Sequence, residues 1–186
     1  MPWYIRSRLL STFPVRCFSK ILALVMACFC VLQVEDDDND IYFLKFAMKQ
    51  APLGNCLRVV KSGEEAIEYF QGAGKFADRT AYPIPGLVLL DLRLVRMNGL
   101  EVLKWIRNQP EFHAVVVLMF TSSAHPDDIE RAARLGANAF LQKPSGPEDL
   151  VRLLRSIHSF WCEFHLFPPD FSRRLLEGVP KAPLNP

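Results

Sequence analysis

Val31-Leu32-Gln33-Val34-Glu35-Asp36-Asp37-Asp38 passes in one step from an apolar run to four consecutive acids. A short apolar run closed by turn-forming acids reads as a buried strand ending at a charged edge. Four more such runs follow, at 57–60, 87–90, 115–120 and 139–142. The segments between them have helical period. Ile41, Leu44, Ala47 and Met48 share one face of a helix over 39–50, which Pro52 and Gly54 stop. Ser62 stands as N-cap ahead of Glu64 and Glu65, opening a second helix that reaches about Phe70. Gly99 opens a third, with Leu100, Leu103 and Ile106 as its apolar stripe and Pro110 at its end. A fourth covers 127–135 and stops at Gly136, and Ser145 with Glu148 predicts a capping box for a fifth that runs to about Phe160. Strands alternating with helices predict an α/β fold of three layers, a doubly wound parallel sheet of five strands with helices on both faces. The stretch 72–86, with Gly72, Gly74, Gly86, Pro83 and Pro85, reads as a long surface loop.

With 186 residues, half of them hydrophobic, the chain holds one domain core and tails. The net charge of +2 is uneven, because Arg6, Arg8, Arg16 and Lys20 lie in a stretch without acids and leave the remainder mildly acidic. No helix carries a basic face, which argues against direct nucleic-acid binding. Residues 21–34 are apolar but for Gln33, yet about 14 residues fall short of the ~20 needed to span a membrane, and acids follow without a small-residue cleavage site. Neither a membrane span nor a signal peptide is expected. The segment 1–27 is read as an N-terminal extension, with Met26 as the expected start of translation. Cys17, Cys28, Cys30, Cys56 and Cys162 are odd in number and lack zinc spacing, so they read as free thiols of a reducing cytoplasm. Past Trp161 the chain is aromatic and then proline-rich, with too little periodicity for another domain, and 161–186 is assigned as a tail.

In a doubly wound sheet, ligands gather beyond the carboxyl ends of the strands. Those ends carry Glu35, Asp36, Asp37 and Asp38 on the first strand, Asp91 on the third, Thr121 and Ser122 on the fourth, and Lys143 on the fifth. Carboxylates brought that close repel by several kcal/mol per pair at an effective dielectric of about 20 and call for a counter-charge. All-oxygen ligation suits Mg²⁺, and Lys143 balances what remains. With its charge neutralised, Asp91 is a nucleophile toward phosphorus, with Thr121 and Lys143 placed for the equatorial oxygens.

Val34-Glu35-Asp36-Asp37, Leu89-Leu90-Asp91-Leu92, Met97-Asn98-Gly99, Thr121-Ser122 and Lys143-Pro144 together resemble the receiver domain of bacterial response regulators. The resemblance covers about 28–160, with thirty residues from Asp91 to Thr121 and twenty-two from there to Lys143. It implies a flavodoxin-like (CheY-like) strand order 2-1-3-4-5, and a phosphorelay protein, not an enzyme, that promotes its own phosphorylation and dephosphorylation. It implies Asp91 as phosphoacceptor, and Mg²⁺ held by Asp36, Asp91 and the Arg93 backbone carbonyl, with Glu35 acting through water. Thr121 and Phe140 become the switch pair, and Lys143–Pro144 is expected to be a cis peptide. The implied partner is a sensor histidine kinase or phosphotransfer protein. The long loop and the aromatic exit Phe160-Trp161-Cys162-Glu163-Phe164 resemble the single-domain regulators that partner phytochrome-type sensor kinases.

The sequence departs from the family at two places. Val95 stands where proline is usual, and Arg93 sets a long cation beside the site, where it either meets the phosphoryl group or hinders an attacking water. Two other functions compete. A phosphatase of the haloacid dehalogenase type needs an acid two residues after its nucleophile, and that residue is Arg93. A phosphorylation-independent interaction module would have lost the acids or the lysine, which are all present. Trp161, Phe164 and Phe167 either cover the sheet or first helix or form a homodimer contact. His113, His125, His158 and His165 are scattered and receive no role.

Overall fold

The computed structural model describes residues 30–51, 56–123 and 125–175. The expected extension 1–27, with its proposed start at Met26, Cys17 and Cys28, lies outside them, as do Pro52 and Gly54. Five strands form one sheet: β1 (Val31–Val34), β2 (Leu57–Val60), β3 (Leu87–Leu90), β4 (Val116–Thr121) and β5 (Ala139–Gln142). All neighbours pair in parallel, in the order β2-β1-β3-β4-β5. β1, β3 and β4 are buried at every position, which explains their largely apolar runs, broken in β1 by the buried Gln33, whereas the edge strands β2 and β5 are half covered.

The helices divide between the faces. α1 (Asp38–Met48) and α5 (Pro147–Ile157) close one side with Leu44, Ala47, Met48, Leu150, Leu154 and Ile157. α2 (Gly63–Gln71), α3 (Gly99–Arg107) and α4 (Pro126–Arg134) lie on the other, with Tyr69, Phe70, Leu103, Ile106 and Ala132. The chain leaves β1 toward β2 and returns to β3 on the opposite side, so the switch point falls between the carboxyl ends of β1 and β3.

Several local details differ from the sequence reading. The N-cap of α5 is Gly146, which makes no side-chain cap bond, instead of Ser145. Pro147 occupies the first helical position, where its fixed φ starts the helix one residue late for Ser145 to cap. Lys143–Pro144 is trans, as the intrinsic preference of about 0.5–1 kcal/mol favours, because no cis bond occurs among the described residues. The loop 72–86 is well fastened. Gly72 takes φ 66° beyond α2, a short 3-10 turn spans Gly74–Phe76, and Arg79 donates to the carbonyls of Tyr69 at 2.8 Å and Phe70 at 2.6 Å. After α5, a π-helical segment (His158–Phe164) and α6 (Pro169–Leu175) continue the structure, and α6 buries Phe171 and Leu175 in the core. Two buried positions four apart are too brief a pattern to read from sequence.

Candidate functional site

The acidic run after β1 divides its labour by position. Glu35 follows the strand directly and is only 3% exposed. Asp37 caps α1, accepting from the Asn39 N–H at 2.7 Å and the Asp40 N–H at 3.1 Å. Asp36, between them, accepts from the Val95 N–H at 3.2 Å, across 59 residues of chain. A proline at 95 has no such donor, so this departure from the family pattern adds a tether between the β1 and β3 ends.

Asp91 ends β3 and is 5% exposed, and its Oδ2 accepts from the Arg93 N–H at 2.7 Å. The loop behind it is fitted to a glycine. A Cβ on Gly99 would lie 2.1 Å from the Asp91 carbonyl oxygen. Asn98 and Glu101 then form a capping box that starts α3 at this close approach. Arg96 sits at φ 71° in the same loop, a left-handed conformation unusual outside glycine.

Lys143, 11% exposed, gathers the acids. Its Nζ lies 2.5 Å from Glu35 Oε2, 2.6 Å from Asp40 Oδ2 and 3.2 Å from Asp91 Oδ1. Burial alone would lower its pKa, but hydrogen bonds to Asp40 and Glu35 and the charge of Asp91 hold it well above the usual lysine value. Burial pushes the Glu35 carboxyl up to about 7; the Lys143 hydrogen bond offsets part of this and Asp91 adds to it.

Glu35, Asp36 and Asp91 each present a carboxylate oxygen, all within 4.8 Å of one another. With Asp40 they set four acids against one ammonium, and each such carboxylate pair costs roughly 3–4 kcal/mol at an effective dielectric of 20. Hard oxygen donors with excess negative charge fit a divalent cation such as Mg²⁺. The open pocket above them, about 340 Å³, is lined by Glu35, Asp36, Asp37, Asp40, Asp91, Arg93, Ser122 and Lys143.

Thr121 ends β4, directly before Ser122, which lines this pocket. It is 1% exposed, its hydroxyl accepts from the Ser123 N–H at 3.4 Å, and its carbonyl accepts from the Lys143 N–H at 2.8 Å. Phe140, opposite Met119 in β5, is half-buried against the core on the α2–α3 side of the sheet and is not among the residues that line the pocket. Besides the Val95–Asp36 tether, two contacts are not legible in the sequence. Asp40 was one more acid in a run, yet it faces Lys143 from the first turn of α1. The Arg93 guanidinium donates to Ser123 Oγ at 3.2 Å, crossing from the β3 loop to the β4 loop.

A model of the response regulator receiver domain matches residues 31–155. The response regulator Rcp1 of Synechocystis is 30% identical over 138 residues, which cover 74% of this chain and 92% of that protein. The phosphorylated cyanobacterial phytochrome response regulator RcpA is similar in structure, with a TM-score of 0.69 at 28% identity over 75% of this chain and 98% of that one. The Mn(2+)-bound form of Rcp1 has a TM-score of 0.67 at 30% identity, over 75% and 99% of the two chains.

Proposed function

The chain belongs to the response regulator receiver domain family, and from that premise we propose that it is a single-domain response regulator taking a phosphoryl group on Asp91. The family signals by phosphorylation and is not a classical enzyme. Receiver domains bind a divalent metal, and the ligands assigned here are Asp36, Asp91 and the Arg93 carbonyl, with Glu35 through water. When bound, Mg²⁺ neutralises the carboxylates and the oxygens of the transferring group. The observation that carries the reading is the convergence of Glu35, Asp36 and Asp91 within 4.8 Å beside Lys143.

The Asp91 carboxylate forms the new O–P bond while the bond from phosphorus to the donor's imidazole nitrogen breaks, and that nitrogen keeps the electron pair. The Arg93 N–H bond to Oδ2 fixes the carboxylate plane. Lys143, held charged, turns from the acids to the arriving oxygens, and the Thr121 hydroxyl, bound only by a long hydrogen bond, swings toward them with Phe140 following. This readjustment of the β4–β5 side passes the signal to a partner through altered contacts. The phosphoryl donor is a sensor histidine kinase or phosphotransfer protein, a class in keeping with the phytochrome regulators this chain resembles. Among the described residues Cys30, Cys56 and Cys162 are free thiols, which fits a cytoplasmic setting, and no helix is long and apolar enough to cross a membrane. Phe160, Phe164 and Leu166 are more than half exposed and support a homodimer contact on the aromatic segment.

Incubation with Mg²⁺ and acetyl phosphate or phosphoramidate, followed by intact mass measurement, tests the assignment. One adduct of roughly 80 Da, absent in Asp91→Asn, is expected for a single aspartyl phosphate. An adduct that persists in the variant, or none in the parent protein, overturns it.

A further inference from the structure

At the amino ends of β1 and β2, away from the carboxylates, two cysteines lie side by side. Strand alternation puts Cys30 on the face of Leu32 and Val34, and Cys56 on the face of Arg58 and Val60, both toward α2. The register pairs Val31 with Leu57, and one step back along both strands sets Cys30 opposite Cys56. The pairing extends that far, because the Val31 N–H donates to the Cys56 carbonyl at 2.8 Å. Neighbouring strands run about 4.8 Å apart, within the Cα separation of about 4.4–6.8 Å that a disulfide spans.

The two thiols differ in surroundings. Cys30 is fully buried, with its Sγ 3.8 Å from the Tyr69 hydroxyl, while Cys56 is half-buried at the sheet edge beside Arg58. A hydrogen bond from the Cys30 thiol draws Cys56 down to about 7, against burial and with help from the Arg58 cation, and the same bond together with burial raises Cys30. The solvent-reachable sulfur is therefore the one richer in thiolate.

We propose that Cys30 and Cys56 form a reversible disulfide in response to a peroxide, with Cys56 oxidised first and Cys30 resolving it. The Cys56 thiolate attacks one peroxide oxygen; the S–O bond forms, the O–O bond breaks, and the departing hydroxide takes up the proton that the Cys56 thiol released to solvent on ionising, leaving as water. Sulfur loses two electrons and the peroxide gains them. Cys30 then attacks the sulfenic sulfur, forming S–S and breaking S–O, and its proton leaves with the hydroxide as water. The net change consumes two thiols and one hydrogen peroxide and yields one disulfide and two waters.

The full chain, treated with equimolar hydrogen peroxide and acid-quenched, is the test. Intact mass should fall by about 2 Da, the two hydrogens lost on disulfide formation, and return with a thiol reductant. A non-reducing peptide map should join the Cys30 and Cys56 peptides, and Cys30→Ala should instead leave a sulfenic acid at Cys56 that a 1,3-dione traps. The map of the parent protein decides the matter even where a variant folds poorly. A disulfide engaging Cys17, Cys28 or Cys162 in place of this pair overturns the proposal, as does Cys56 reacting no faster than Cys162, whose thiol burial pushes up to about 12.

Discussion

The loop 72–86 and the loop 91–99 are both irregular, and both begin or end at buried strands or helices, yet they finish with opposite electrostatic accounts. In the first, Arg79 satisfies the carbonyls at the end of α2 and Tyr69, Phe76 and Tyr82 pack ring against ring. In the second, Gly99 presses on the Asp91 backbone and Arg96 holds a left-handed turn, while Glu35, Asp40 and Asp91 crowd one lysine and Asp36 lies beside them. The folded loop that satisfies its own polar groups has nothing left for a ligand. The loop that leaves negative charge unbalanced stores free energy that a cation can release.

The sharpest way to break this contrast is Gly99→Ala. The new Cβ meets backbone, which cannot rotate away, so stability should fall by about 3 kcal/mol or more in urea unfolding and phosphorylation at Asp91 should be lost. Unfolding within error of the parent protein would show that the close approach is not required.

Next in size is the pH response of Glu35. Its folded pKa stands at about 7 against 4.5 for the free side chain, so between those values the folded state holds a proton that the unfolded chain has released. Metal-free stability should therefore fall as pH rises from about 4.5 to 7 and level off above, by an upper figure of about 3 kcal/mol. Mg²⁺ affinity should rise through the same window as the carboxylate loses its proton. Glu35→Gln should flatten both curves, and a parallel slope in the variant would assign the effect elsewhere.

Arg79→Ala probes the quieter loop. It strips donors from two α2 carbonyls, which should cost about 2 kcal/mol in urea unfolding while leaving phosphorylation intact. A large loss of phosphorylation would show that the two loops are energetically joined. The smallest effect belongs to Arg93→Ala. Removing this exposed bridge to Ser123 opens the pocket to water and should shorten the phosphoryl half-life about 2–5-fold, the rate equivalent of a surface interaction below 1 kcal/mol, with unchanged stability. A lengthened half-life would instead make Arg93 an aid to hydrolysis.

The sequence by itself determined the five strands, their helices and the residues at the strand ends, because period-two and period-3.6 patterning are local properties of the chain. It carried the Glu35, Asp36, Asp91 and Lys143 constellation as positions in a parallel sheet. Only the tertiary structure decided that Asp40 joins Glu35 and Asp91 on Lys143, that Val95 donates to Asp36 and that Arg93 reaches Ser123. It alone also brought Phe171 and Leu175 of α6 back to the core, and set Cys30 beside Cys56. Those meetings join residues from 26 to more than 100 positions apart. They depend on strand register, helix rotation and desolvation, which are settled when the layers pack and leave no periodic trace in the chain.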